Sequence, residues 1–191
     1  PADEPETLKS IVTGLREKFS FLNEPLLLKG NLGKGGAIRA GWDSGNGFGH
    51  LAFVDADGAV PAAEVVRVLN GVEPETVYLA VRDSENTPNL ERALSRKIVA
   101  RIFNWLIRIR YAIRISDTQC GFKIIPESFY LSVREQLVQR GYAFDLELIL
   151  LAKKSGCSIK TVPVEWTEIP GGTTNLKDGL TFLKQLIKHS I

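Results

Sequence analysis

Residues 51–58 read Leu-Ala-Phe-Val-Asp-Ala-Asp-Gly, and the way they fold decides how the rest of the chain is organised. Leu51–Val54 is a short apolar run that suits a buried strand. Asp55-Ala56-Asp57-Gly58 then stops it abruptly. Pro61 suits the first turn of a helix to about Asn70, and Thr76–Val81 alternates as another strand. Strand, acidic turn, helix and strand in succession predict an α/β layered fold with a largely parallel sheet. In such sheets ligands bind beyond the carboxyl ends of the strands, where Asp55 and Asp57 fall.

Two carboxylates one residue apart can face one divalent cation. Mg²⁺ and Mn²⁺ prefer oxygen ligands, completed by water and substrate phosphate. Such a cation neutralises a diphosphate and stabilises it as a leaving group. A bare Asp-x-Asp is more often an ordinary acidic turn. Here the strand before it, with Gly58 and Pro61 after it, predicts a rigid turn at a strand end.

Upstream, Asn31-Leu32-Gly33-Lys34-Gly35-Gly36 lies between an expected strand at Leu26–Leu28 and an expected helix at Ala37–Trp42. Glycines there let backbone N–H groups approach a phosphate at a helix N-terminus, and Lys34 adds a positive charge. The loop reads equally as a plain structural turn. It is not a P-loop, which needs GxxxxGK followed by Ser or Thr. A dinucleotide fingerprint would need glycine where Ile38 stands. Further upstream, Leu8, Ile11, Val12, Leu15 and Phe19 recur at helical spacing over residues 6–19.

Downstream, Gly121–Ile125 reads as a strand, Pro126–Gln139 and Phe144–Lys154 as helices, Ser158–Thr167 as a strand and Leu176–His189 as a final amphipathic helix. The segment 90–115 predicts a long helix. Seven basic residues and no acidic ones lie between Arg92 and Arg114. Leu94, Ile98, Ile102, Trp105, Leu106, Ile109 and Ile113 fall on one face, and Phe103, Ile107 and Tyr111 lie among the basic residues. That second face suits an anionic membrane surface. It reads equally as the solvated side of a core helix. A nucleic-acid face is the third reading, but no recognition motif accompanies it.

Composition narrows the class. The 191 residues are 44% hydrophobic and 24% charged, enough apolar material for a core and too much for disorder. A formal net charge of +2 gives no global basic field and no reason to expect nucleic acid. Cys120 and Cys157 have no zinc spacing and read as reduced, buried thiols. Two histidines are too few for a histidine-based metal site. No apolar run reaches the roughly 20 residues of a membrane span, and the polar opening PADEPETLKS is no signal peptide. Methionine is absent, position 1 included, so residue 1 is not expected to be the native start.

The string Ile115-Ser-Asp-Thr-Gln-Cys-Gly-Phe-Lys123 is distinctive. With NLGKGGAIRAG (31–41), DADG (55–58), YAFDLE (142–147) and VEWTEIPGG (164–172), it closely resembles the dolichyl-phosphate β-glucosyltransferases. These are inverting enzymes of glycosyltransferase family 2. The blocks run in the family's order from about residue 26 to the end. Polyprenyl-phosphate mannosyltransferases share much of the pattern, and the DTQCGFK and tryptophan blocks favour glucose.

The resemblance implies a GT-A fold, a mixed, mostly parallel sheet flanked by helices, as one domain over 1–191. It implies Asp55 and Asp57 as the metal and diphosphate motif, with Mg²⁺ or Mn²⁺ as cofactor, and places Gly33, Lys34 and Gly35 near the nucleotide. Arg82 matches the basic residue after the next strand. Asp117 and Gln119 line the acceptor side, and Lys123 faces the donor diphosphate or the acceptor phosphate as a catalytic cation beside Asp57. Asp145 and Glu147 match the family's acidic motif, with Asp145 taken as substrate-binding. A helix start, where carboxylates favour the dipole, is the plain alternative for that pair.

The implied reaction is metal-dependent, inverting hexose transfer from a nucleotide sugar, UDP-glucose first, to polyprenyl or dolichyl phosphate. Its implied place is the cytosolic face of a membrane: endoplasmic reticulum if eukaryotic, plasma membrane if bacterial. Two departures stand out. Nothing before residue 26 matches the family's opening strand, asparagine-containing turn, helix and Asp-Asp-Gly-Ser type motif, so the chain is expected to lack the first nucleotide-binding βαβ unit. Pro170-Gly-Gly-Thr-Thr differs from the family's usual Gly-Ser. The competing readings are a nucleotidyltransferase, which lacks its glycine-rich basic signature here, and a non-enzymatic membrane-surface module built on 92–115.

Overall fold

The computed structural model describes residues 5–82, 115 and 117–167. The expected helices at 90–115 and 176–189 lie outside the described residues. The chain divides into two compact units, Pro1–Leu32 and Gly33–Ile191, where the sequence reading takes 1–191 as one.

The first unit carries helix α1, Pro5–Arg16. It ends nine residues before Pro25. The Arg16 side chain donates to the Leu22 carbonyl (3.1 Å) and pairs with Glu24, folding the following segment back on the helix end. Leu26–Leu28 is not a strand but irregular chain. A short apolar run has no strand character of its own without a neighbour to pair with.

In the second unit, α2 (Gly33–Asp43) leads to β1 (His50–Val54), α3 (Ala62–Leu69), β2 (Thr76–Arg82), β3 (Phe122–Pro126), α4 (Glu127–Val133), α5 (Phe144–Lys154) and β4 (Ser158–Val164). Two elements are shorter than expected. The helix after Pro126 stops at Val133 rather than Gln139, and the last strand stops at Val164 rather than Thr167. The glycine segment is not a loop before a helix: Gly33–Gly36 form the first turn of α2.

The sheet order is β1-β3-β2-β4. β2 and β4 pair in parallel, while β3 runs antiparallel between β1 and β2. Three strands therefore share one direction and β3 opposes them, giving a mixed sheet. β3 begins at the end of the sheet where the other strands finish. That single reversal brings residues 117–121 beside the carboxyl ends of β1 and β2.

Both faces of the sheet are covered. On one face Val77, Leu79 and Ile125 pack with Trp42 of α2, Phe129, Tyr130 and Val133 of α4, and Phe144, Leu148 and Ile149 of α5. On the other, Tyr78, Ala80, Phe122 and Ile124 pack with Val60, Val68 of α3, Cys120 and Val164. Every residue of β3 is buried, as a strand covered on both faces requires. The alternation of a strand puts Lys123 on the same face as Ile125, toward α5.

Candidate active site

β1 delivers Asp55 and Asp57 to the carboxyl end of the sheet, and the turn is closely fixed there. The Asp55 N–H donates to the Gly121 carbonyl at 2.7 Å, continuing the β1–β3 ladder by one bond. Asp57 Oδ1 accepts from the Ala59 N–H at 3.0 Å, and Gly58 takes φ of 75°, a conformation glycine adopts without strain. Gly121 is required for a different reason. A Cβ there would overlap the Asp55 carboxylate and lie 2.8 Å from the Asp55 Cβ. Asp57 is exposed and Asp55 half-buried.

Beside this turn stands a chain of four alternating charges. Lys34 Nζ lies 3.1 Å from Asp55 Oδ1, 3.3 Å from Asp55 Oδ2 and 3.1 Å from Asp145 Oδ2. Lys123 Nζ donates to Asp145 Oδ1 at 2.5 Å and to the Cys120 carbonyl at 2.8 Å. Both ammoniums lie near the Phe53 ring, 5.1 Å and 5.4 Å from its centroid, where the π-face adds attraction. Burial works against the Lys34 cation, but Asp145 and Asp55 outweigh it and raise its pKa above the usual lysine value. At Asp55 burial wins over Lys34, with Asp145 and Asp57 adding to it, so this carboxyl sits above the usual aspartate range.

This arrangement corrects two expectations. Lys123 does not face a phosphate: its side chain is 1% exposed and committed to Asp145 and a backbone carbonyl. Asp145 does not reach a substrate surface either, being 0% exposed between two lysines. Its partner in the acidic motif, Glu147, is buried as well and accepts from the Val138 and Gln139 N–H groups. The motif is a structural hub at the start of α5. Among the described residues, Lys34 is the basic side chain that pairs with the acidic turn.

The glycines explain how Lys34 gets there. Gly33 takes φ of 73°, and a Cβ would overlap the Arg140 carbonyl. A Cβ at Gly35 would lie 2.5 Å from the Phe144 Cβ and 2.7 Å from the Gln139 carbonyl oxygen. Gly36 donates to the Arg140 carbonyl at 3.2 Å. Their smallness lets the first turn of α2 rest on residues 139–144, which sets the Lys34 side chain between α5 and β1.

At the end of β2, Arg82 grips Asp117 with two bonds, Nε to Oδ2 at 2.5 Å and Nη2 to Oδ1 at 2.9 Å. Its guanidinium also stacks 5.2 Å from the Trp166 ring. Burial raises the Asp117 pKa, but the Arg82 bonds and charge overcome it and hold the carboxyl below the usual range. Asp117 Oδ1 also accepts from the Gln119 N–H at 3.2 Å. Among the described residues, the Thr118 hydroxyl and the Gln119 amide nitrogen are buried without a hydrogen-bond partner. Burial, with Asp117 adding to it, pushes the Cys120 thiol up to about 11, so this cysteine stays an unreactive thiol.

No group of three or more metal-ligating side chains occurs among the described residues. The donor set nevertheless fits an oxygen-preferring divalent ion. Mg²⁺ is commonly held by one or two carboxylates, with water and phosphate oxygens as its other ligands. Asp57 offers an exposed carboxylate for that purpose, and Asp55 a half-exposed one already shared with Lys34.

An α/β mixed sheet with an acidic turn at its carboxyl end, flanked by helices on both faces, is the fold of the GT-A glycosyltransferases. A glucosyl-3-phosphoglycerate synthase from M. tuberculosis superposes with a TM-score of 0.51, over 98% of this chain and 64% of its own, at 16% identity. A mannosyl-3-phosphoglycerate synthase from Rubrobacter xylanophilus gives 0.53, over 98% and 59%, also at 16%. Likeness at this identity shows the fold alone.

No protein-family model matches the chain. Sequence relatives are more specific. The Drosophila melanogaster dolichyl-phosphate β-glucosyltransferase is 37% identical over 150 residues, covering 74% of this chain and 45% of the relative. A protein of the same description from Trichomonas vaginalis is 35% identical, covering 91% and 52%. That of Saccharomyces cerevisiae is 30% identical, covering 82% and 51%. The chain is similar in sequence to dolichyl-phosphate β-glucosyltransferases, the family that its motif blocks resemble. It spans about half the length of the curated relatives it matches.

Proposed function

We propose that this chain belongs to an enzyme that transfers a hexose, glucose first, from a nucleotide-diphosphate sugar to a polyprenyl or dolichyl phosphate, with inversion at the anomeric carbon. The observation that carries the reading is the acidic turn Asp55–Asp57, held at the carboxyl end of β1 with the Lys34 ammonium beside it, in a chain similar in sequence to glucosyltransferases. UDP-glucose is the expected donor.

The acceptor phosphate oxygen forms the bond to the anomeric carbon. The bond from that carbon to the diphosphate oxygen breaks, and its electron pair leaves with the nucleoside diphosphate. A phosphate monoester has a second pKa of about 6, so near pH 7 the nucleophile is already mostly ionised. No side chain has to act as general base. The demand is instead to bring two anions together, which calls for positive charge at the site. Lys34 supplies it next to the acidic turn. A bound Mg²⁺ or Mn²⁺, held by Asp57 and Asp55, would neutralise the departing diphosphate. Arg82 and Asp117, locked on Trp166, shape the acceptor side with Gln119. Lys123 and Asp145 position Lys34 from within the core.

The acceptor places the reaction at a membrane surface, on the cytosolic face in this reading. Among the described residues no helix is long and apolar enough to cross a membrane.

The test supplies the protein with radiolabelled UDP-glucose or GDP-mannose, a polyprenyl phosphate in detergent, and Mn²⁺ or Mg²⁺. Lipid-linked glucose is the expected product. Transfer of mannose in its place would favour a polyprenyl-phosphate mannosyltransferase, and release of pyrophosphate would favour a nucleotidyltransferase.

A further inference from the structure

Lys34 occupies the acidic turn in a way that bears on every cation arriving there. Its ammonium lies within 3.3 Å of both Asp55 oxygens, so Asp55 already has a counter-ion of the protein's own. It also has an alternative partner in Asp145 Oδ2 at 3.1 Å. The Lys34 side chain is only 15% exposed, which weakens solvent screening of these contacts. Asp145 in turn is held by Lys123 from the far side and is fully buried, so it cannot leave. Asp55 is fixed through its N–H to Gly121, and the lack of a side chain at Gly121 leaves room for its carboxylate. Among the described contacts of Lys34, the pair with the half-exposed Asp55 is the one that solvent reaches.

We propose that Lys34 is a resident counter-ion that competes with a divalent cation for the Asp55 carboxylate. A nucleoside diphosphate relieves that competition by drawing the ammonium to itself. Two opposite consequences follow from the charges. Without a diphosphate, the ammonium repels an incoming divalent ion and shares its ligand, so the ion binds weakly. With a diphosphate present, Lys34 gains an anionic partner, Asp55 is released, and the ion binds more tightly. By linkage the cation must tighten nucleotide binding by the same factor. The competition rests on the functional reading above in taking this turn as the cation site and a nucleoside diphosphate as its ligand.

The experiment measures Mn²⁺ binding to the full chain by electron paramagnetic resonance of the free ion, with and without UDP, for wild type, Lys34→Gln and Lys34→Arg. Removing a unit charge about 3 Å from the ligand predicts that Lys34→Gln binds Mn²⁺ alone on the order of tenfold more tightly than wild type. That variant also loses most of the UDP-induced gain. Lys34→Arg, whose planar fork matches a carboxylate bidentately, holds Asp55 harder and binds Mn²⁺ alone more weakly than wild type. Circular dichroism checks that each variant is folded. If Lys34→Gln fails to fold, the sign of the Lys34→Arg change still decides.

Equal or weaker Mn²⁺ binding by folded Lys34→Gln overturns the proposal. So does equal or tighter binding by Lys34→Arg, or absence of Mn²⁺ binding in every variant. Hexose transfer is not the readout. A protein that shows this pattern of affinities but transfers no sugar would refute the functional reading and leave the competition standing.

Discussion

Asp145 accepts an ion pair on each of its two oxygens, from Lys123 and from Lys34, and has no exposure to solvent. Removing one partner of a buried ion pair leaves an uncompensated charge in the core, which costs several kcal/mol. Asp145→Ala should therefore lower unfolding stability in urea by about 3–5 kcal/mol. Asp57 predicts the reverse balance. It is exposed, and the hydrogen bond that its Oδ1 accepts from the Ala59 N–H survives in asparagine. Asp57→Asn should leave stability within about 0.5 kcal/mol of wild type and reduce the proposed hexose transfer on the order of a hundredfold. A stable Asp145→Ala protein, or full transfer by Asp57→Asn, would contradict these roles.

At the scale of elements, the position of α2 against residues 139–144 decides where Lys34 stands. Gly35→Ala places a methyl group 2.5 Å from the Phe144 Cβ, too close for the two helices to keep their separation. Overpacking of this kind costs about 1–3 kcal/mol, and here it also moves Lys34 away from β1. The expected outcome is a loss of both stability and nucleotide binding, read by thermal melting with and without UDP. Gly121→Ala differs, because its added methyl meets a side chain at the site rather than the core. It should displace Asp55 and weaken Mn²⁺ binding more than it lowers the melting temperature. These two glycines are legible in the sequence as glycines in motif blocks. Their reason is not, since each makes room for a group far away in the chain.

For the whole molecule, pH acts through the Arg82–Asp117 clamp. The Asp117 pKa is lower folded than unfolded, so the unfolded chain takes up this proton first as pH falls. The clamp's contribution is fully present above the ordinary aspartate pKa and is lost as pH falls through the depressed folded value. The stability difference between wild type and Asp117→Asn should be constant near neutrality and shrink progressively below about pH 4. A difference that grew on acidification would reverse the sign argued here. Asp55, raised in the fold, works in the other direction, which is why the comparison is made at Asp117 alone.

Pattern alone settled the alternation of strands and helices, the acidic turn at the end of β1, the helix at Phe144–Lys154 and the kinship of the motif blocks. These depend on local periodicity and on residues adjacent in sequence, which a linear reading sees directly. Tertiary structure decided the rest. It set the reversal of β3, the irregular course of Leu26–Leu28, and the burial of Lys123 and Asp145, which the motifs by themselves assign to substrate. Whether a charged side chain meets water or another charge depends on which strands flank its own and which helix covers that face, and such neighbours come from distant parts of the chain. Lys34, Asp55, Lys123 and Asp145 become one electrostatic unit only when α2, β1, β3 and α5 converge.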